Sequence, residues 1–153
     1  MAKLEQMPEP MRSHIAKLPC PAYSTQPWVI GPELKKRRIT IISTAGLHRR
    51  GDRPFEGMDG DYRIIPGNIS AGDLVMTHLS TNFDRTGFQQ DWNLVFPLDR
   101  LKELASESII GSVANFHYSF MGATDPKEMA SAAQNLARLL KGDQVTAALL
   151  VPV

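Results

Sequence analysis

Three histidines, His48, His78 and His117, each fall at or just after the carboxyl end of a segment that reads as a β-strand. Open parallel α/β sheets bind ligands at that edge, so the three imidazoles are candidates for one pocket. A neutral imidazole can ligate zinc, work as an acid or base near pH 7, or satisfy a buried polar contact. Spacing leaves all three roles open. Beside them the loop after His48 carries Arg49, Arg50 and Arg53, whose planar forks suit a carboxylate or phosphate, and Asp52, which could orient one of them. A loop closed by an Arg–Asp pair is the silent alternative. His48, Arg49, Arg53, His78 and His117 are the candidate substrate-binding residues, with no metal assigned. His14 reads as ordinary surface.

A nucleophile is hard to find. The single cysteine, Cys20, sits between Pro19 and Pro21, far from every strand end and without a histidine motif to activate it. Ser43 and Ser119 lack a nucleophile-elbow pattern. No phosphate-cradling glycine loop follows the first strand. The chain offers pocket walls without a reactive centre.

The elements that must position these residues alternate. Met11, Ile15 and Leu18 at helical spacing predict a short packing helix over 8–18, stopped by Pro19. Residues 19–34, with four prolines, read as an extended arm whose Tyr23 and Trp28 cover another surface, its own domain before a partner. The β-branched run Ile39–Ser43 is a central parallel strand. Tyr62–Ile65, Leu74–Leu79, a segment ending near His117 and the apolar run Val145–Val153 are further strands, the last of them read as buried. Helices are expected from Asp99, as cap, through Leu104, and from Asp125-Pro126 through Leu140 to Gly142. Between them, 81–96 reads as an irregular loop with a short helix. This order predicts a three-layer α/β fold with a mainly parallel open sheet, Rossmann-like or flavodoxin-like and incomplete at its carboxyl terminus. The partition is an N-terminal helix and Pro-rich arm at 1–34 and an α/β domain at 35–153.

Composition bounds the partners. With 153 residues, 17 Lys and Arg and 16 Asp and Glu, the net charge is +1, so no global field draws the protein to nucleic acid. The cluster Lys35–Arg38 reads as a solvated strand entrance. No apolar run approaches a membrane span, and one cysteine fits a reducing cytoplasm.

Several separated motifs then resemble one family. Ser43-Thr44-Ala45-Gly46-Leu47-His48 with Asp52-Arg53-Pro54-Phe55, Asp61-Tyr62-Arg63-Ile64-Ile65-Pro66, Phe96-Pro97-Leu98-Asp99-Arg100-Leu101 and His117-Tyr118-Ser119-Phe120-Met121-Gly122 look like selenoprotein B of the glycine, sarcosine, betaine and D-proline reductases, nearest the D-proline branch. Asp73–Asp84 is similar but less crisp. The resemblance implies a substrate-handling subunit that reductively cleaves a carbon–nitrogen bond of an amino acid-like molecule, with a thiol reductant and a pyruvoyl-bearing partner subunit. It implies a selenocysteine in the full-length protein, three residues before a cysteine, directly after a strand like Val145–Val153. The expectation is therefore that the chain stops at a UGA codon read as termination and is inactive alone. A non-catalytic α/β module that binds a small molecule or a partner is the rival, and a zinc hydrolase ranks last. Oligomeric state stays open.

Overall fold

A computed structural model describes residues 4–18, 22–57, 59–80 and 83–153. At its centre is β1 (Arg38–Ser43), whose alternate side chains feed two cores. Ile39 and Ile41 face one side with Leu98 and Leu101 of α3 (Leu98–Ser106). Ile42 faces the other, with Ala132 and Leu136 of α4 (Ala130–Gly142). A helix on each face of one sheet is the three-layer α/β arrangement that the sequence pattern predicts. Each fully buried Leu or Ile contributes about 1.5–3 kcal/mol over its exposed state.

Along one side of β1 run first β5 (Ser112–Val113) and then β6 (Phe116–Ser119), both parallel to it. Along the other runs β7 (Ala147–Val151), parallel over five residues from Ile39 to Ser43. β3 (Arg63–Pro66) closes the far margin, antiparallel to β6. The sheet is mainly parallel, as expected. A separate ribbon pairs β2 (Leu47–Arg49) with β4 (Leu74–Met76), antiparallel; the expected strand at 74–79 is thus shorter and stands outside the main sheet. The short α2 (Thr86–Gln90) lies within the irregular 83–96 segment. No helix among the described residues is long and apolar enough to cross a membrane.

Several expectations are corrected. The strand expected to end near His117 is two strands, and His117 is the second residue of β6. β7 is not buried: it pairs β1 alone, so Leu149 and Leu150 remain open to solvent. Asp99 does not cap α3, which begins one residue earlier; its carboxylate instead accepts hydrogen bonds from Trp92 Nε1 (2.8 Å) and Asn93 Nδ2 (3.0 Å). Asp125 holds a turn, accepting from Lys127 N, and α4 starts only at Ala130. The N-terminal helix α1 (Glu9–Ala16) forms but buries no residue. Tyr23 and Trp28, expected to cover a surface, are 72% and 87% exposed, because the arm lies off the domain. Cys20 lies outside the described residues.

Candidate functional site at the carboxyl edge of the sheet

Where β1, β6 and β7 end, their chains are laced together. Gly122 N donates to Thr44 O (2.8 Å), Thr44 N to Val151 O (3.1 Å) and Gly46 N to Phe120 O (2.9 Å). Thr44 Oγ1 accepts from Val153 N at 2.8 Å and lies 3.3 Å from Val153 O. A Cβ on Gly122 would stand 2.6 Å from Val153 O, 2.9 Å from Thr44 O and 3.2 Å from His78 Nε2, so only glycine lets these four groups meet. Gly46, at φ +65°, turns the chain after β1 and brings it against the backbone of His78. His78 therefore sits at the meeting point of three parallel strand ends.

The protonation of each histidine follows from its partner. Nδ1 of His78 accepts the N–H of Ser80 (3.2 Å), which leaves the proton of the neutral ring on Nε2. That Nε2–H is buried and has no partner among the described residues. Burial holds the pKa of His78 below its ordinary value, and the charge of Arg85, whose guanidinium donates to the His78 carbonyl, pushes the same way. The ring stacks obliquely on Phe83. The site thus presents a neutral donor in a cationic setting, suited to an acceptor or an anion.

His48 is held differently: its Nδ1 lies 2.9 Å from Arg49 O, a pure acceptor, so Nδ1 donates, and Nε2 is buried without a partner among the described residues. His48 opposes Val75 in the ribbon, whereas His78 lies two residues beyond the end of β4.

His117 is further removed. Gly122 follows five residues later, roughly 15 Å along an extended chain. Its Nδ1 accepts Ile41 N at 3.0 Å, at the gap where β5 has ended and β6 has not yet paired with β1. Thr40 Oγ1 closes the same gap by donating to Phe116 O (2.8 Å). Phe96 packs edge-on to the ring, and burial pulls its pKa down to about 4, helped by the charge of Lys102. Among the described residues no three His, Cys, Asp or Glu side chains group to hold a metal ion.

The arginines line the loop above. Arg49 pairs with Asp52 (3.1 Å) and remains 56% exposed; Arg53 reaches Asp59 only at 3.7 Å and is 69% exposed. The loop itself is closed by Arg63, which donates to Asp59 (2.6 Å), Arg53 O and Pro54 O and lies over the Phe55 ring. Phe55 N in turn donates to Thr77 Oγ1, next to His78. Sequence reasoning missed Thr44, Gly122 and Arg85. The signal for the first was a hydroxyl directly after the central strand, and for Gly122 its place at the end of a family-like motif; for Arg85 there was none, since its role depends on tertiary approach.

A three-layer α/β domain with a ligand-ready carboxyl edge is the class this geometry defines. Residues 62–153 match the family model of glycine/sarcosine/betaine reductase selenoprotein B, and the chain belongs to that family. It is similar to D-proline reductase subunit gamma of Acetoanaerobium sticklandii, 33% identical over 121 residues, covering 77% of this chain and 49% of that protein. Sarcosine reductase complex component B subunit beta of Peptoclostridium acidaminophilum is 32% identical over 96 residues (59% of this chain, 22% of that one). Glycine reductase complex component B subunit gamma of Symbiobacterium thermophilum is 26% identical over 125 residues (77% and 29%). The chain spans about half the length, or less, of these relatives. No solved structure matches it significantly.

Proposed function

We propose that this chain is the substrate-handling part of a reductase that cleaves a carbon–nitrogen bond of an amino acid or related small molecule, acting with partner subunits in the cytoplasm. Membership of the selenoprotein B family supports the reading, as do relatives named as subunits of D-proline, sarcosine and glycine reductases. The observation that carries it is the junction of Thr44, Gly122 and Val153 beside the unpartnered Nε2–H of His78.

In this reading His78 donates to the substrate or to the reacting group. Arg49 and Arg53, whose charges are largely exposed, meet the substrate carboxylate from the loop, with His48 behind them. His117 serves the site through the strand it completes. The redox group would be the selenocysteine that resemblance to the family implies for the full-length protein, and it would supply a nucleophile ionised at neutral pH. Net cleavage takes two electrons from a dithiol, which becomes a disulfide, and delivers one proton to carbon and one to nitrogen. A pyruvoyl-bearing subunit is the partner that activates the substrate.

The test uses the natural gene with its downstream sequence, expressed in its native host. Selenium in the purified protein, and dithiol-dependent cleavage of D-proline, glycine or sarcosine by the assembled complex, are expected. His78→Gln should lower kcat/KM at least about tenfold. A UAA or UAG codon after Val153 removes the selenocysteine, and binding of these amino acids without turnover in the complete complex leaves a binding module instead.

A further inference from the structure

Among the described residues nothing covers the outer side of β7. The strand pairs with β1 alone, and Val151 O accepts from Thr44 N, so by alternation Ala148 and Leu150 turn their N–H and C=O away from β1 without a partner. Ala147–Val151 carries no charged residue and no proline, the devices that keep an exposed edge from pairing. Its side chains are open as well: Leu149 is 38% exposed and Leu150 66%.

The two faces of β7 are uncovered to different degrees. Leu149 stands beside Ile41, on the face that α3 covers, and Leu150 beside Ile42, on the face of α4. α4 connects β6 to β7 across β1 and packs on Tyr118, Phe120 and Ile42, short of β7. Crossovers between parallel strands are right-handed almost without exception. A chain that leaves β7 for a parallel strand on its free side continues in the direction of the β6–α4–β7 connection, so a crossover of the same hand lays its helix on the same face, over Leu150. The more exposed leucine is the one this rule selects.

We propose that the open side of β7 is filled by the same polypeptide, with a parallel strand paired to Ala148–Leu150 and a crossover helix on Leu150, both drawn from the part of the family's length that this chain does not span. The length is available, since the chain covers 49% of D-proline reductase subunit gamma and less of the other two relatives. Pro152, at the next outward position, has no N–H to offer, so the added strand pairs before it and parts from β7 at the carboxyl edge. The crossover helix starts at that edge, beside Thr44 and Val153, and closes one side of the candidate site. A second copy pairing its β7 across a two-fold axis would satisfy the backbone but leave Leu150 bare, because α4 stops short of β7 in each copy. The proposal shares with the reductase reading a chain that continues past β7, and it needs no activity.

The test compares the 153-residue chain with the longer product of the natural gene, purified from its native host. Hydrogen exchange at the Ala148 and Leu150 amides is expected to slow at least about tenfold in the longer product. Hydroxyl-radical labelling of the Leu150 side chain should fall severalfold, and further than that of Leu149. Unchanged exchange and labelling in the longer product would overturn the proposal. So would protection of the 153-residue chain that rises with its own concentration, which is a second copy, or protection that appears only when other subunits are added, which is a separate chain. Protection of Leu149 without Leu150 would overturn the placement of the helix. A UAA or UAG codon after Val153 overturns this proposal and the selenocysteine together, whereas a protected β7 in a complex that binds amino acids without turnover keeps the proposal and removes the reductase.

Discussion

His117 Nδ1 accepts the backbone N–H of Ile41 at 3.0 Å, so a side chain supplies the acceptor that the gap between β5 and β6 withholds from the central strand. The first prediction follows from the identity of that donor. In His117→Leu the Ile41 N–H is left buried without a partner, at a cost of about 1–3 kcal/mol. Urea unfolding at pH 7 measures it. A midpoint unchanged from the parent would mean that water or another group takes over the role.

The same ring predicts an acid sensitivity. The folded pKa of His117 is about 4 against 6.5 unfolded, so between these values the unfolded chain binds more protons. Its contribution is complete above about pH 6.5 and is lost as pH falls toward 4, on the order of 3 kcal/mol in all. His78, also held low by burial, adds in the same sense. Stability measured at pH 7, 5.5 and 4.5 should therefore fall steadily, and His117→Leu should flatten part of that slope. Parallel slopes for the two proteins would contradict the assignment.

At the other edge the crowding around Gly122 makes a steric prediction. An added Cβ meets two backbone oxygens, Val153 O at 2.6 Å and Thr44 O at 2.9 Å, neither of which can rotate away. Gly122→Ala should cost about 2–3 kcal/mol and displace the end of β7 from Thr44. Gly72→Ala, with nothing within 4 Å, is the control and should be neutral. Equal midpoints for both variants in thermal unfolding would show that the three strand ends are not held together as described.

The alternation of elements was readable from residues because it is local: β-branched Ile39–Ser43, the stop at Gly142 and the Pro66–Gly67 turn each announce themselves over a few positions. The placement of His78 at a strand end was readable for the same reason. What escaped was non-local. The break between β5 and β6, which takes His117 away from the carboxyl edge, exists only because two short strands share one side of β1. An apolar run such as Ala147–Val151 has the same sequence pattern whether a neighbour covers it or not, so the openness of Leu149 and Leu150 could not be seen. Asp99 looked like a cap because its partners, Trp92 and Asn93, lie a turn of chain away.

The loop that carries Arg49 and Arg53 depends on Arg63. Burial alone would raise the pKa of Asp59, but the hydrogen bond from Arg63, the N–H of Asp61 and the charges of Arg63 and Arg53 outweigh it, and the carboxyl stays below its ordinary value. Both partners of the 2.6 Å pair are nearly buried, with side chains 11% and 10% exposed. Arg63→Met should therefore cost about 3 kcal/mol and open the 50–59 loop to limited proteolysis. Arg53→Met, removing only the long exposed contact, should cost under about 0.5 kcal/mol. If the two variants are cleaved at the same rate, Arg63 is not what closes the loop.

The last prediction concerns the arm. No described residue before Arg37 is buried, and the hydrogen bonds that tie the 22–33 segment to the domain lie at its last two residues, Arg37 Nε to Pro32 O and Lys36 N to Glu33 O, both at 2.8 Å. Trp28, Val29 and Ile30 contribute no packing to the fold, since each is more than four-fifths exposed. A chain beginning at Leu34 should consequently unfold within about 0.5 kcal/mol of the whole, because surface deletions that touch no core or cap seldom cost more. A loss of several kcal/mol on comparing the two by urea unfolding would require the arm to pack on the domain after all. Unchanged stability would instead mark residues 1–33 as surplus to the α/β core, leaving Trp28 and its neighbours as apolar surface that the domain itself does not use.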